Sequence, residues 1–211
     1  MADFSRDEVT GWVLCGGEGR RMGGANKGLQ PYRGRPLAAW VIDALSAHTD
    51  VLHLSANRDT TAYAALLRDL PNAGQVWPDD TDVSGDARGS LGPLAGILTG
   101  LRRASTPWLM VAACDTPALP ATLVQQLHRH AQTTGADIAV PLTTDPDGQQ
   151  RHHWTCALIH TRCLASLEAA LPSGERRVGK WVQSCGWIGV SFDHPAAFIN
   201  INTAETLHGQ A

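Results

Sequence analysis

Apolar residues along the chain fall into short continuous runs that alternate with stretches of helical period. The first run, Gly11-Trp12-Val13-Leu14-Cys15, stops at Gly16-Gly17, as a strand buried on both faces does. Pro36 then stands at a helix start, and Leu37, Trp40, Val41, Ala44 and Leu45 recur at i, i+3, i+4, i+7 and i+8. Residues 51–56 read as a second strand and 60–70 as a second helix. A third strand at 75–77 is closed by Pro78-Asp79-Asp80. Residues 81–89 are polar, carry Gly85 and Gly89, and read as a loop. Pro93 opens a helix with Leu94, Ile97, Leu98 and Leu101 on one face. The most apolar strand, 108–113, runs into Cys114-Asp115-Thr116-Pro117, and a helix over 120–132 and a strand over 137–141 follow.

This alternation predicts an α/β fold, a Rossmann-like three-layer α/β/α arrangement with a mostly parallel central sheet. The last third is less regular, with strands expected at 152–160 and 187–192 and helices at 164–171, 178–185 and 203–208. There is no internal repeat and no low-complexity linker, so a single domain over 1–211 is expected.

Composition narrows the function classes. A hydrophobic fraction of 43% supports a buried core, and 18% charged residues do not describe a disordered chain. The net charge of −3 argues against bulk nucleic-acid binding, which needs a broad basic surface. The five cysteines are odd in number and include no CxxC pair, a pattern of reduced thiols rather than of a disulfide framework. Residues 1–10 carry Asp3, Asp7 and Glu8 and no apolar segment, and no run is long enough to span a bilayer. The expectation is a cytoplasmic protein without membrane or nucleic-acid partners.

Candidate chemistry begins directly after the first strand. Residues 14–28 hold six glycines with Arg20, Arg21 and Lys27, and no acidic residue lies between Gly19 and Val41. Glycines allow backbone N–H groups to approach a phosphate closely, and the cations add fixed positive charge. Neither common phosphate motif is present: in GxGxxG the third glycine falls on Met22, and in the P-loop pattern Lys27 follows Asn26 and precedes Gly28.

The stretch resembles the signature loop of nucleotidyltransferases that activate small metabolites. The double glycine followed by Arg-Arg-Met-Gly-Gly and Lys-Gly-Leu is similar to molybdenum cofactor guanylyltransferases in particular, with Cys15 in place of the usual alanine and Asn26 where aspartate is common. The resemblance spans residues 9–208 and implies a nucleotide-diphospho-sugar-transferase-like fold. Residues 9–120 would bind the nucleotide and 137–208 the acceptor. It also implies GTP and molybdopterin as substrates and Mg²⁺, with Mn²⁺ as an alternative, as the metal. Transient contacts with molybdenum-insertion proteins and molybdoenzyme chaperones are implied as well.

On that resemblance Leu14, Cys15, Gly16, Gly17, Arg20, Arg21, Lys27, Ser55, Asp79, Gly92 and Asp115 are candidate GTP contacts. Lys27, Arg21 and Asp115 would be catalytic, and Asp115 would hold the metal. The residues alone leave each role open. Asp115 at a strand end is a metal ligand or a turn residue ahead of Pro117. Asp79 is a nucleoside contact or part of a turn after Pro78. Gly92-Pro93-Leu94-Ala95-Gly96 is a nucleotide-facing helix start or a plain packed one. Ser55 stands where the family often has asparagine.

The acceptor side rests on cations beside aromatics, in Arg151-His152-His153-Trp154 and in the 175–181 segment with Arg176, Arg177 and Trp181. Such groups suit a phosphate and a flat ring, and equally a solvated helix face. A metal pair at His152-His153 is rejected, because adjacent strand residues face opposite ways. Asn200 and Asn202 share a strand face, and the resemblance gives both a site role. Two other readings stay open: cytidylyl transfer to a small phosphorylated metabolite, and a nucleotide-binding adaptor without catalysis.

Overall fold

The computed structural model describes residues 4–16, 26–80 and 92–201. The expected terminal helix at 203–208, Asn202, the loop residues Gly17, Arg20 and Arg21, and the loop at 81–89 lie outside the described residues. In chain order the elements are β1 (Val9–Leu14), a small hairpin of β2 (Pro31–Tyr32) and β3 (Arg35–Pro36), α1 (Leu37–Ser46), β4 (Val51–Ser55), α2 (Thr60–Leu67) and β5 (Ala73–Trp77). Then come α3 (Pro93–Arg103), β6 (Trp108–Ala113), α4 (Leu123–Thr134), β7 (Ile138–Thr144), β8 (Gln150–His152), β9 (Ala157–His160), α5 (Leu164–Ala170), α6 (Val178–Gln183) and β10 (Trp187–Ser191).

The main sheet runs β10-β7-β9-β6-β1-β4-β5, with β8 paired to the end of β7. Its period-two pattern builds two cores. Val9 and Val13 of β1 and Trp108, Met110 and Ala112 of β6 face α1, α2 and α4. Trp12 and Leu14 of β1 and Leu109 and Val111 of β6 face α3, α5 and α6. The result is three layers. Among the described residues no helix is long and apolar enough to cross a membrane.

Helix α3 shows how sequence sets distance. Its apolar face, Leu94, Ile97, Leu98 and Leu101, is buried, each residue contributing about 1.5–3 kcal/mol. Between them Gly96 and Gly100 bring the helix onto the sheet with no side chain interposed. A methyl group at Gly100 would lie 2.9 Å from atoms of Trp12 and Leu109. At the helix start, Gly92 adopts φ 63°, ψ −158°, a conformation open essentially to glycine alone, and Pro93 follows at the first helical position.

The C-terminal third differs from the expectation in two ways. The strand expected at 152–160 is two strands, because a turn closed by the Cys156 N–H on the His153 carbonyl (2.8 Å) separates β8 from β9. In addition, β9 runs antiparallel to both β6 and β7. The reason is the connection. A tight turn at 145–148 returns the chain after β7, and a turn without a crossover helix permits only antiparallel pairing. His152 and His153 do face apart: His152 stacks on Trp154, and His153 stacks on Phe198 and reaches Thr143 (2.9 Å).

Burial lowers the pKa of His53, His128, His153 and His160, with His153 brought down to about 4. Each folded-state pKa lies below the unfolded value near 6.5, so the unfolded chain takes up more protons in the window below it. Stability should therefore be full above about pH 7 and fall as pH drops toward 4. Urea unfolding at pH 7.5, 6 and 5 should show a falling midpoint, with a shallower fall in His153→Gln.

Candidate active site

Register brings four strand ends to one edge. Leu14 pairs with both Ser55 and Ala113, and Ser55 pairs with Trp77, so β1, β4, β5 and β6 finish level. Open α/β sheets bind ligands outside such carboxyl ends. Here a cleft of about 750 Å³ opens, floored by Leu14, Cys15 and Gly16 and walled by Lys27, Ser55, Asp79, Gly92 and Asp115. Asn200 and Thr155 close the opposite side.

Asp115 leaves β6 in a turn held by Thr116, whose hydroxyl donates to the Ala113 carbonyl (2.8 Å). With Thr116 serving the turn, the Asp115 carboxylate reaches the cleft. Its Oδ2 accepts from Lys27 Nζ, in an ion pair whose side chains are 13% and 23% exposed. Its Oδ1 is buried and has no hydrogen-bond partner among the described residues. A buried, unpaired carboxylate oxygen costs about 1–3 kcal/mol or more, so the position is built for a further ligand. The main-chain carbonyl of Asp115 accepts from the Ile201 N–H (2.9 Å), which is how the end of the chain brings Asn200 into the cleft.

Lys27 starts a 3-10 turn, Lys27–Leu29. Gly28 packs under Tyr63 and Cys114, where a methyl group would sit 3.1 Å from Cys114 Sγ. Asn26, beside it, is clamped by the Tyr63 hydroxyl (2.5 Å) and donates to Asp59 (3.1 Å). Losing one member of the Lys27–Asp115 pair would cost about 1–3 kcal/mol, between the exposed and fully buried cases.

A second carboxylate stands across the floor. Asp79 follows β5 and accepts from the Ser55 hydroxyl on Oδ1 and from Asn57 Nδ2 (2.8 Å) on Oδ2. Its own N–H donates to Asn57 Oδ1 (2.8 Å). Asp79 is thus oriented by side chains as well as by the turn after Pro78. The next residue, Asp80, is anchored by the Thr99 hydroxyl to its N–H (2.7 Å) and by Arg102 (3.1 Å), which also binds Glu168 (2.8 Å). Cys15 and Cys114 lie side by side under the Lys27 turn. Burial, then the hydrogen bond with Cys114, pushes the Cys15 thiol well above its ordinary value.

All eight of the expected nucleotide-side residues within the described segments line this cleft: Leu14, Cys15, Gly16, Lys27, Ser55, Asp79, Gly92 and Asp115. The expected acceptor residues divide. Asn200 lines the cleft, and the Arg176 carbonyl comes within 3.8 Å of the Cβ position of Gly92. Arg151 instead pairs with Asp145 (2.6 Å) at the sheet edge. Trp154 stacks on His152, meets Trp187 edge-on and fills the space beside Gly179. Arg177 is 76% exposed near Glu175. Sequence reasoning missed Asn57 and Thr155 as site residues; the Ser55-Ala56-Asn57 alternation, which puts Asn57 on the side of Ser55, was the available signal for the first.

Known proteins resemble this chain over nearly its full length. The MobA-like NTP transferase domain family matches residues 11–186. The molybdenum cofactor guanylyltransferase of Cupriavidus metallidurans is 41% identical over 205 residues, covering 97% of this chain and 95% of its own. That of Burkholderia vietnamiensis is 40% identical over 200 residues, covering 94% and 93%. Among solved structures, the molybdopterin-guanine dinucleotide biosynthesis protein A of Archaeoglobus fulgidus superposes with a TM-score of 0.69 at 23% identity over 94% of each chain. The 4-diphosphocytidyl-2C-methyl-D-erythritol synthase of Anaerococcus prevotii reaches 0.72 at 12% identity over 96% of each. Both structural likenesses speak for the fold.

The close seat of α3 on the cleft floor is testable. In Gly96→Ala the new methyl would meet Leu14 Cδ2 at 2.7 Å and Ser55 Oγ at 3.0 Å. It should lower stability by about 1–3 kcal/mol as an overpacked contact, read by urea unfolding. Wild-type stability would mean that α3 is free to shift.

Proposed function

The chain belongs to the MobA-like NTP transferase domain family, and on that premise we propose that it transfers GMP from GTP to the phosphate of molybdopterin, forming molybdopterin guanine dinucleotide. The observation that carries the mechanism is the Lys27–Asp115 pair at the cleft edge, with Asp115 Oδ1 left unpaired. A phosphate oxygen of molybdopterin attacks the α-phosphorus of GTP in line. The new P–O bond forms as the bond to the β-phosphate bridge breaks, and pyrophosphate leaves with the electron pair. The nucleophile is already anionic, so no general base is needed, and positioning with electrostatic stabilisation supplies the rate.

Lys27 donates to the charge that develops on the triphosphate, and Arg20 and Arg21 of the glycine-rich loop add to it. A divalent cation, Mg²⁺ or Mn²⁺, fits the unpaired Asp115 oxygen, since such ions are held by one or two carboxylates with substrate phosphates completing the shell. When bound it neutralises phosphate charge.

Asp79 reads the base. Its carboxylate accepts only, and Ser55 and Asn57 hold it still. Guanine offers two adjacent donors, the ring N–H and the exocyclic amine, whereas cytosine offers only an amine on that edge. The acceptor lies toward the 137–208 part, against Asn200 and the Arg176 segment, with Arg177 and Asn202 as further candidates, whereas Arg151 and Trp154 are engaged elsewhere.

Lys27→Ala and Asp115→Ala should each lower turnover by about 10²–10³-fold in folded protein, as loss of one transition-state contact does. Asp115→Asn should shift the Mg²⁺ titration of activity, and a curve matching wild type would remove the metal role. In thermal-shift experiments with Mg²⁺, GTP at about 100 times its dissociation constant should raise the midpoint by about 5–10 °C, and CTP should not. Asp79→Asn should narrow that preference. A shift with CTP instead would make the protein a cytidylyltransferase, and GTP binding without pyrophosphate release would make it an adaptor.

A further inference from the structure

Helix α2 is mostly exposed, yet two groups from its start reach the edge of the cleft. Of its eight residues only Tyr63 and Leu67 are buried. The Tyr63 ring passes under the Lys27 turn, where a methyl group on Gly28 would meet its Cε1 at 3.2 Å. Its hydroxyl donates to Asn26 Oδ1 (2.5 Å). Burial pushes the Tyr63 phenol well above its ordinary value, so the hydroxyl stays a donor.

Asp59 supplies a second contact. It precedes α2 with φ 52° and ψ 33°, a left-handed conformation that aspartate and asparagine tolerate better than most residues. An aspartate in this position usually caps its own helix. Here its side chain makes no cap bond and accepts from Asn26 Nδ2 (3.1 Å) instead. The Asp59 carbonyl also accepts from the Tyr63 N–H (3.1 Å), so both partners of Asn26 belong to one turn of backbone. Asn26 matches them, with its amide oxygen toward the phenol and its amide nitrogen toward the carboxylate. Carboxylates at both 26 and 59 would repel, so asparagine rather than aspartate suits the clamp.

What the clamp holds is Lys27. The Asn26 carbonyl accepts from the Leu29 N–H (3.2 Å) and from Gln30 Nε2 (3.4 Å), and the Lys27 carbonyl accepts from the Gln30 N–H (3.1 Å). The lysine backbone is thus tied to α2, while Nζ at the far end of a flexible stem meets Asp115. Asn26 and Lys27 line the cleft; Tyr63 and Asp59 do not. We infer that Tyr63 and Asp59 are positioning residues for the transfer reaction, acting through Asn26 to set Lys27 against the triphosphate. The inference rests on guanylyl transfer with Lys27 at the developing charge.

The test is steady-state turnover of GTP and molybdopterin by the full-length protein, read as pyrophosphate release. Tyr63→Phe keeps the ring and removes the hydroxyl, and it should melt near wild type. It should lower kcat by about 10-fold and leave the KM for GTP within about twofold, because Lys27 acts on charge that develops in the transition state. In a Lys27→Ala background the same change should cost nothing further, whereas a general packing defect would add to the loss. Asn26→Asp should lower kcat by a similar factor. Combining it with Asp59→Asn exchanges donor and acceptor, keeps a residue that tolerates the left-handed backbone, and should restore kcat to within about threefold of wild type. Wild-type kcat in Tyr63→Phe, additive losses with Lys27→Ala, or no recovery in the exchanged pair would each overturn the inference. Absence of turnover in the wild type would instead remove guanylyl transfer itself, and the inference with it.

Discussion

Everything in this molecule depends on β1 and β6 being covered on both faces. Apart from Thr10, whose buried hydroxyl is paired with that of Thr106 (2.8 Å), their side chains are apolar toward each core, and their backbone groups are taken by neighbouring strands. A polar group without such a partner is accommodated at the strand end, where the sheet stops and water or ligand begins. The close seat of α3, set by Gly96 and Gly100, shuts one face down to the last residue of β1. The cleft is the consequence of that closure.

Within the cleft, each carboxylate has part of its hydrogen-bonding capacity committed. Ser55 and Asn57 take one lone pair from each Asp79 oxygen, and Lys27 takes one oxygen of Asp115. What remains is oriented before any substrate arrives. Electrostatic catalysis works this way, because groups already in place cost no reorganisation during reaction. The network around Asp80, Thr99, Arg102 and Glu168 extends the restraint outward from the nucleotide side to α5.

The far wall has a different origin. The tight turn after β7 forces antiparallel return strands, and β9 slots between β7 and β6. This insertion sets Thr155 at the cleft, and the Ile201 bond to Asp115 draws Asn200 to it. Two unrelated stretches of the C-terminal third therefore meet one strand end from the N-terminal part. Trp154, next to Thr155, is committed to the packing of His152 and Trp187.

The order of strands and helices, the two-faced burial of the central strands and the position of Asp115 were legible in the sequence. They follow from local period: alternation of two in a strand, 3.6 in a helix, and a polar residue where an apolar run ends. Lys27 was legible for the same reason, as a cation within a local departure in charge and glycine content. The partners were not legible. Lys27 and Asp115 are 88 positions apart, and Asn57 and Asp79 are 22 apart. Nor could composition separate Asn200, which lines the cleft, from Arg151, which pairs at the sheet edge. By itself the sequence determined which segments are strands and helices and where their polar ends fall. Tertiary structure alone decided which ends meet, because strand order and register are set by packing over the whole sheet and leave no mark within any one segment.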